Sequence, residues 1–166
     1  RVNVLKSISD VDTSNYLRVN ELIFTSQLVV ITRAQTILPE VITWKTINLQ
    51  NVAYVRGSQI VKQNLNLKNS ISVTSAKQAL EMVASRRVDA TILLLPVANN
   101  LLAQFPNLNE KLKVQKPALM PIQLFSYLHK KHEKLLPLLE LSLQNMKKNN
   151  IFDQLALKHN LTPPFE

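Results

Sequence analysis

Residues 52–58 read VAYVRGS, and residues 75–94 read SAKQALEMVASRRVDATILL. In the first stretch, four apolar residues of strand type run into Arg56-Gly57-Ser58, and Gly57 is the only glycine in the chain. A solitary glycine between a β-run and a helix start marks a backbone position that needs a positive φ or a close approach by other atoms. The second stretch opens with Ser75 and Gln78 in a capping-box pattern, and its Ala76, Ala79, Leu80 and Val83 share one helical face. That helix is expected to stop near Arg86 and Arg87, cations suited to the negative end of a helix dipole. Val88–Leu94 then reads as a strand apolar enough to be buried on both faces.

The same alternation continues outward. Strand-length apolar runs stand at Val2–Ile8, Leu28–Thr32, Ile71–Val73, Leu112–Val114 and Ile122–Leu128. Helical spacing appears from Ser58, after Pro96, from Glu133 to Lys148, and from Ile151 to about His159. Pro137 is tolerable only in the opening turn of its helix. Strands alternating with helices predict an α/β chain with a mostly parallel sheet covered on both faces, whose ligand crevice lies beyond the carboxyl ends of the strands. Two proline-bearing stretches, Arg33–Thr43 and Lys116–Pro121, read as crossovers between lobes. They predict one lobe over residues 41–118, with residues 1–40 and 119–166 belonging to the other.

Composition removes several chemistries. The 166 residues include no cysteine and one glycine, where average usage of about 7% would give roughly a dozen glycines. Thiolate zinc sites, disulfides and cysteine nucleophiles are excluded, as are the dinucleotide fingerprint and the Walker loop. A formal net charge of +9 permits anionic partners, but the lysines are dispersed and aromatics make up only 5%, a poor platform for nucleic acid. The longest apolar run, Thr91–Ala98, is far short of the roughly 20 residues that span a bilayer, so no membrane insertion of this segment is expected. His129 and His132 lack a third ligand, which argues against a metal, and Asp10 and Asp12 form no acid/base constellation. No cofactor is expected. Trp44, the only tryptophan, is assigned to core or hinge packing, and Asp89 to bracing the start of its strand.

With their order and spacing, residues 52–58 and 75–90 resemble the second lobe of family 3 extracellular solute-binding proteins, the type 2 periplasmic-binding fold. Leu124–His132, Leu138–Met146 and Ile151–Leu155 resemble that family's returning strand, penultimate helix and last helix. Val2–Ser9, Tyr16–Val19 and Leu28–Arg33 are similar to the segment just before its first crossover. The resemblance therefore implies a two-lobed α/β fold whose first lobe is incomplete here, with a further piece of polypeptide before Arg1.

It also implies a site. Arg56, Gly57, Ser58 and Gln59 form the ligand-facing turn, with free amides of Ser58, Gln59 and Ile60 suited to an anionic group. Ser7 and Ser9 match the small polar residues that lobe one offers to a ligand, and Leu94 occupies a ligand position at the end of its strand. Amino-acid binders of the family hold the α-carboxylate with an arginine where this chain has Thr13 or Ser14. They hold the α-ammonium with an aspartate where it has Leu94. Losing both ion pairs leaves the desolvation of a zwitterion, several kcal/mol for each ion, without an offset. The function so implied is non-enzymatic: extracytoplasmic binding of a small polar or anionic solute, atypical for free amino acids, as a component of an ABC transporter with a membrane permease as partner. A ligand-sensing module of a signalling protein is the alternative.

Overall fold

In the computed structural model, residues 14–158 are described. The chain divides into two compact units: residues 27–121, and residues 1–26 with 122–166. The divisions fall inside the strands β1 (Tyr16–Arg33) and β6 (Met120–His129). The sequence placed the first boundary later, at 40/41. Residues 28–33 belong with the second unit because they pair with two of its strands.

That unit is built on a sheet in the order β3-β2-β4-β1-β5, with β2 at Val52–Val55, β3 at Ser70–Val73, β4 at Ala90–Leu94 and β5 at Leu112–Val114. β2 pairs in parallel with both β3 and β4, whereas β1 runs antiparallel to β4 and β5. The sheet is therefore mixed rather than mostly parallel. The three strands joined by right-sized helical crossovers are parallel, and β1 enters from the other direction.

Val29, Ile31, Ala53, Val73 and Leu93 of the sheet pack with Ala79, Leu80 and Val83 of α3 (Ala76–Ala84), with Ala98 and Leu102 of α4 (Leu95–Gln104) and with Leu108 of α5 (Pro106–Asn109). The alternate residues Val30, Val52, Tyr54 and Ile92 point to the opposite face and are buried as well. Ile47 of α1 (Trp44–Ile47) and Val61 of α2 (Gln59–Asn64) are fully buried in the same unit. Burial on both faces is why these strands read as continuous apolar runs.

α3 ends as the sequence requires and by an identifiable device. The Arg87 amide donates to Met82 O at 2.9 Å and the Arg86 amide to Val83 O at 3.1 Å, the two bonds of a Schellman motif, and Arg86 takes φ +62°. Asp89 braces the start of β4. Its Oδ2 accepts from the Asn51 amide and from Asn51 Nδ2 at 3.1 and 3.0 Å, and its Oδ1 from the Arg33 guanidinium at 3.2 Å. Burial pushes its carboxyl up, but the bonds from Asn51 and Arg33 together outweigh that and hold it below the ordinary value.

In the other unit β6 pairs with β1, and α6 (Leu136–Lys148) is followed by α7 (Ile151–Lys158). Pro137 sits in the first turn of α6, as expected. The predicted helix from Glu133 is shortened because a proline has no N–H to donate. Residues Lys130–Leu135 instead form a 3₁₀ turn, closed by the Leu136 amide on Glu133 O. Glu21 on β1 receives bonds from Lys147 and Gln144 of α6, which hold its carboxyl below the ordinary value. His129 is committed locally, its Nδ1 accepting from the Lys131 amide and its ring edge-on to Tyr16. The predicted strand Val2–Ile8, with Ser7, Ser9 and Thr13, lies outside the described residues.

Candidate functional site

The parallel register of β2 with β3 and β4 brings three strand ends to one edge of residues 27–121. From that edge emerge the turn Arg56–Ser58, the pair Thr74-Ser75 and Leu94. The Arg56 amide donates to Val73 O at 2.8 Å, extending the β2–β3 ladder one residue into the turn. Gly57 adopts φ +91°, and a Cβ added there would meet no heavy atom within 4 Å. Conformation, not crowding, is what demands glycine, and the space beside the turn is open.

The amides differ from the sequence expectation. Ser58 N–H donates to Val55 O at 3.0 Å and Gln59 N–H to Gly57 O at 2.9 Å, so two of the three amides expected to be free are already bonded within the turn. The tight turn that the positive φ creates folds these amides back on its own carbonyls. The side chains are what it leaves available. Arg56 is exposed, and Ser58 and Gln59 are half-buried. The Ser58 hydroxyl caps no amide of its helix. None of the three side chains has a partner among the described residues.

At the next strand end the polar groups are engaged. Ser75 Oγ accepts from the Gln78 amide, while Gln78 Oε1 accepts from the Thr74 amide and hydroxyl. The reciprocal half of the capping box has moved one residue earlier, from Ser75 to Thr74. The sequence had assigned Ser75 to capping alone, and Thr74 went unnoticed although it follows the strand run 71–73 directly. Leu94, half-buried at the end of β4, contributes apolar surface and no charge. Thus Arg56, Gly57, Ser58, Gln59 and Leu94 share one edge, and its one unpaired charge among these residues is the Arg56 guanidinium. Such a surface can take a carboxylate or other oxyanion by charge-assisted hydrogen bonds, and to an ammonium it offers neutral acceptors and no anion.

Solved structures share this architecture. A mutant of ArgBP from T. maritima superposes with a TM-score of 0.72 at 18% identity, covering 91% of this chain and 64% of its own. The GluR0 ligand-binding core in complex with L-glutamate gives 0.73 at 14%, covering 90% and 65%. The fold is that of the type 2 periplasmic-binding proteins. AbpA from Streptococcus pneumoniae, an amino acid ABC transporter substrate-binding protein bound to L-arginine, matches at TM-score 0.72 and 17% identity, covering 95% of this chain and 72% of its own. A histidine kinase sensor domain similar to periplasmic binding proteins matches at 0.70 and 12%. The chain spans less than two thirds of the length of ArgBP and GluR0. No protein-family model matches the sequence, and no curated protein matches it either. These four matched structures are binding proteins and a sensor domain rather than enzymes.

Proposed function

We propose that the protein is an extracytoplasmic solute-binding protein, the binding component of an ABC transporter that hands its ligand to a membrane permease, and that it takes a small polar or anionic solute at the carboxyl edge of β2, β3 and β4. The observation that carries this reading is the unpaired Arg56 guanidinium beside an open, glycine-made turn, on a fold shared with substrate-binding proteins. Arg56 holds an oxyanion of the ligand, Ser58 and Gln59 add neutral hydrogen bonds, and Leu94 lines the site with apolar surface. Ser7 and Ser9, which the resemblance assigns to the ligand, lie outside the described residues.

AbpA and the GluR0 core were solved with amino acids bound. With Leu94 at the strand end this chain lacks an anion for an α-ammonium there, so a free amino acid is not its preferred ligand. Among the described residues no helix is long and apolar enough to cross a membrane. The match to a histidine kinase sensor domain favours one second reading, ligand sensing in a signalling protein.

Calorimetric titration of the full chain with organic acids, sugars, peptides and amino acids tests the proposal. Expected are binding of an organic acid and a loss of about tenfold or more in affinity on Arg56→Gln, the worth of one charge-assisted bond at roughly 1.5–3 kcal/mol. Tight binding of arginine or glutamine that Arg56→Gln leaves unchanged would overturn it.

A further inference from the structure

The opposite edge of the same sheet carries a second cationic feature. Because β1 runs antiparallel to β4, with Thr32 opposite Ala90, Arg33 lies at the amino end of β4, away from the Arg56 turn. There Arg33, Gln35, Arg86, Glu110 and Lys111 line an open pocket of about 260 Å³. This is below the roughly 300–1,000 Å³ of sites for drug-sized ligands and suits a small ion.

The charges in it are unevenly committed. Arg33 is fixed by Val88 O at 3.0 Å and by Asp89 at 3.2 Å, which leaves further N–H groups of its guanidinium undirected. Arg86 and Lys111 make no ion pair or side-chain hydrogen bond among the described residues, and Glu110 is joined to neither. Arg86 also occupies the left-handed position after α3 that glycine fills most cheaply. The chain thus accepts a backbone cost at the residue that places a second guanidinium on the pocket wall.

We infer that this pocket is an oxyanion site, independent of the proposed solute edge, which takes a small dianion of the phosphate class between Arg33, Arg86 and Lys111. Arg33, already oriented, supplies directed N–H donors, and Arg86 and Lys111 supply two positive charges against the single Glu110 carboxylate of the pocket wall.

The test is calorimetric titration of the full chain with inorganic phosphate, at ionic strength held constant with chloride. A phosphate site that depends on Arg86 and Lys111 is expected. Lys111→Gln weakens it severalfold, and Arg86→Gly weakens it tenfold or more while raising the melting temperature without phosphate by a few degrees, since glycine relieves the left-handed strain. These opposite signs separate a lost ligand contact from a damaged fold. Arg56→Gln leaves phosphate binding intact. Phosphate binding that survives Arg86→Gly and Lys111→Gln, or that disappears with Arg56→Gln, would overturn the inference. So would no phosphate heat beyond that of chloride. The proposed solute site fails by a different result, organic-acid binding insensitive to Arg56→Gln.

Discussion

Replacing Asp89 by asparagine keeps the shape of the brace at the start of β4 and removes its charge. The carboxylate accepts three bonds, two from Asn51 and one from Arg33. An asparagine has a single oxygen, so it serves either Asn51 or Arg33 and turns an NH₂ toward the remaining donor. Bonds to a charged acceptor contribute roughly 1.5–3 kcal/mol each when sheltered. The Asp89 side chain is 34% exposed, so solvent screening reduces this, and the expected net loss is about 1–2 kcal/mol.

Trp44, the only tryptophan, lies in the same unit, residues 27–121, so its fluorescence reports this unfolding directly. In urea at pH 7, Asp89→Asn should lower the midpoint by roughly 0.5–1 M. The folded carboxyl titrates below its ordinary value of 3.8, so the unfolded chain takes up the proton first. Its contribution is complete above about pH 5 and is lost as pH falls through the folded value. The gap between the two proteins should therefore be constant from pH 5 to 7 and narrow below pH 4. Equal midpoints at pH 7, or a gap undiminished at pH 3, would refute the reasoning.

Two further outcomes follow from the same unit. Gly57→Ala should destabilise by about 1 kcal/mol through its φ of +91° alone, since no atom stands in the way of the methyl; a loss above about 3 kcal/mol in urea titration would show that the turn is crowded after all. Leu80→Ala, at a fully buried position packed between α3 and the sheet, should cost about 2–5 kcal/mol, and a cost under 1 kcal/mol would mean that this core is not close-packed.

What the sequence made legible depended on how local the signal was. The β2 and β5 runs and the ends of α3 are set by neighbours within four residues, through apolar runs and the Ser75 cap, and they stand where the residues placed them. The turn at Gly57 was legible for the same reason. The early half of β1 was not, because Asn20-Glu21 and Thr25-Ser26-Gln27 break the apolar run, and its pairing partner β6 lies about a hundred residues on. The antiparallel entry of β1 into the sheet was hidden likewise, since strand direction is set by partners and not by composition. Whether an amide at Ser58 or Gln59 is free depends on the turn's own dihedral angles, which no side-chain pattern specifies. Thr74 was missed because a threonine beside a cap looks like any polar punctuation.

The pairing of β1 also sets an order of events during synthesis. Val29 and Ile31 are made before their partners, for Leu93 and Val114 follow only after some 60 to 80 further residues. At roughly 5–20 residues per second that is several seconds. Through that interval the nascent chain carries an apolar ribbon without a mate, a natural place for a chaperone to hold on, and the registration of β1 is the step at which unit 27–121 becomes complete.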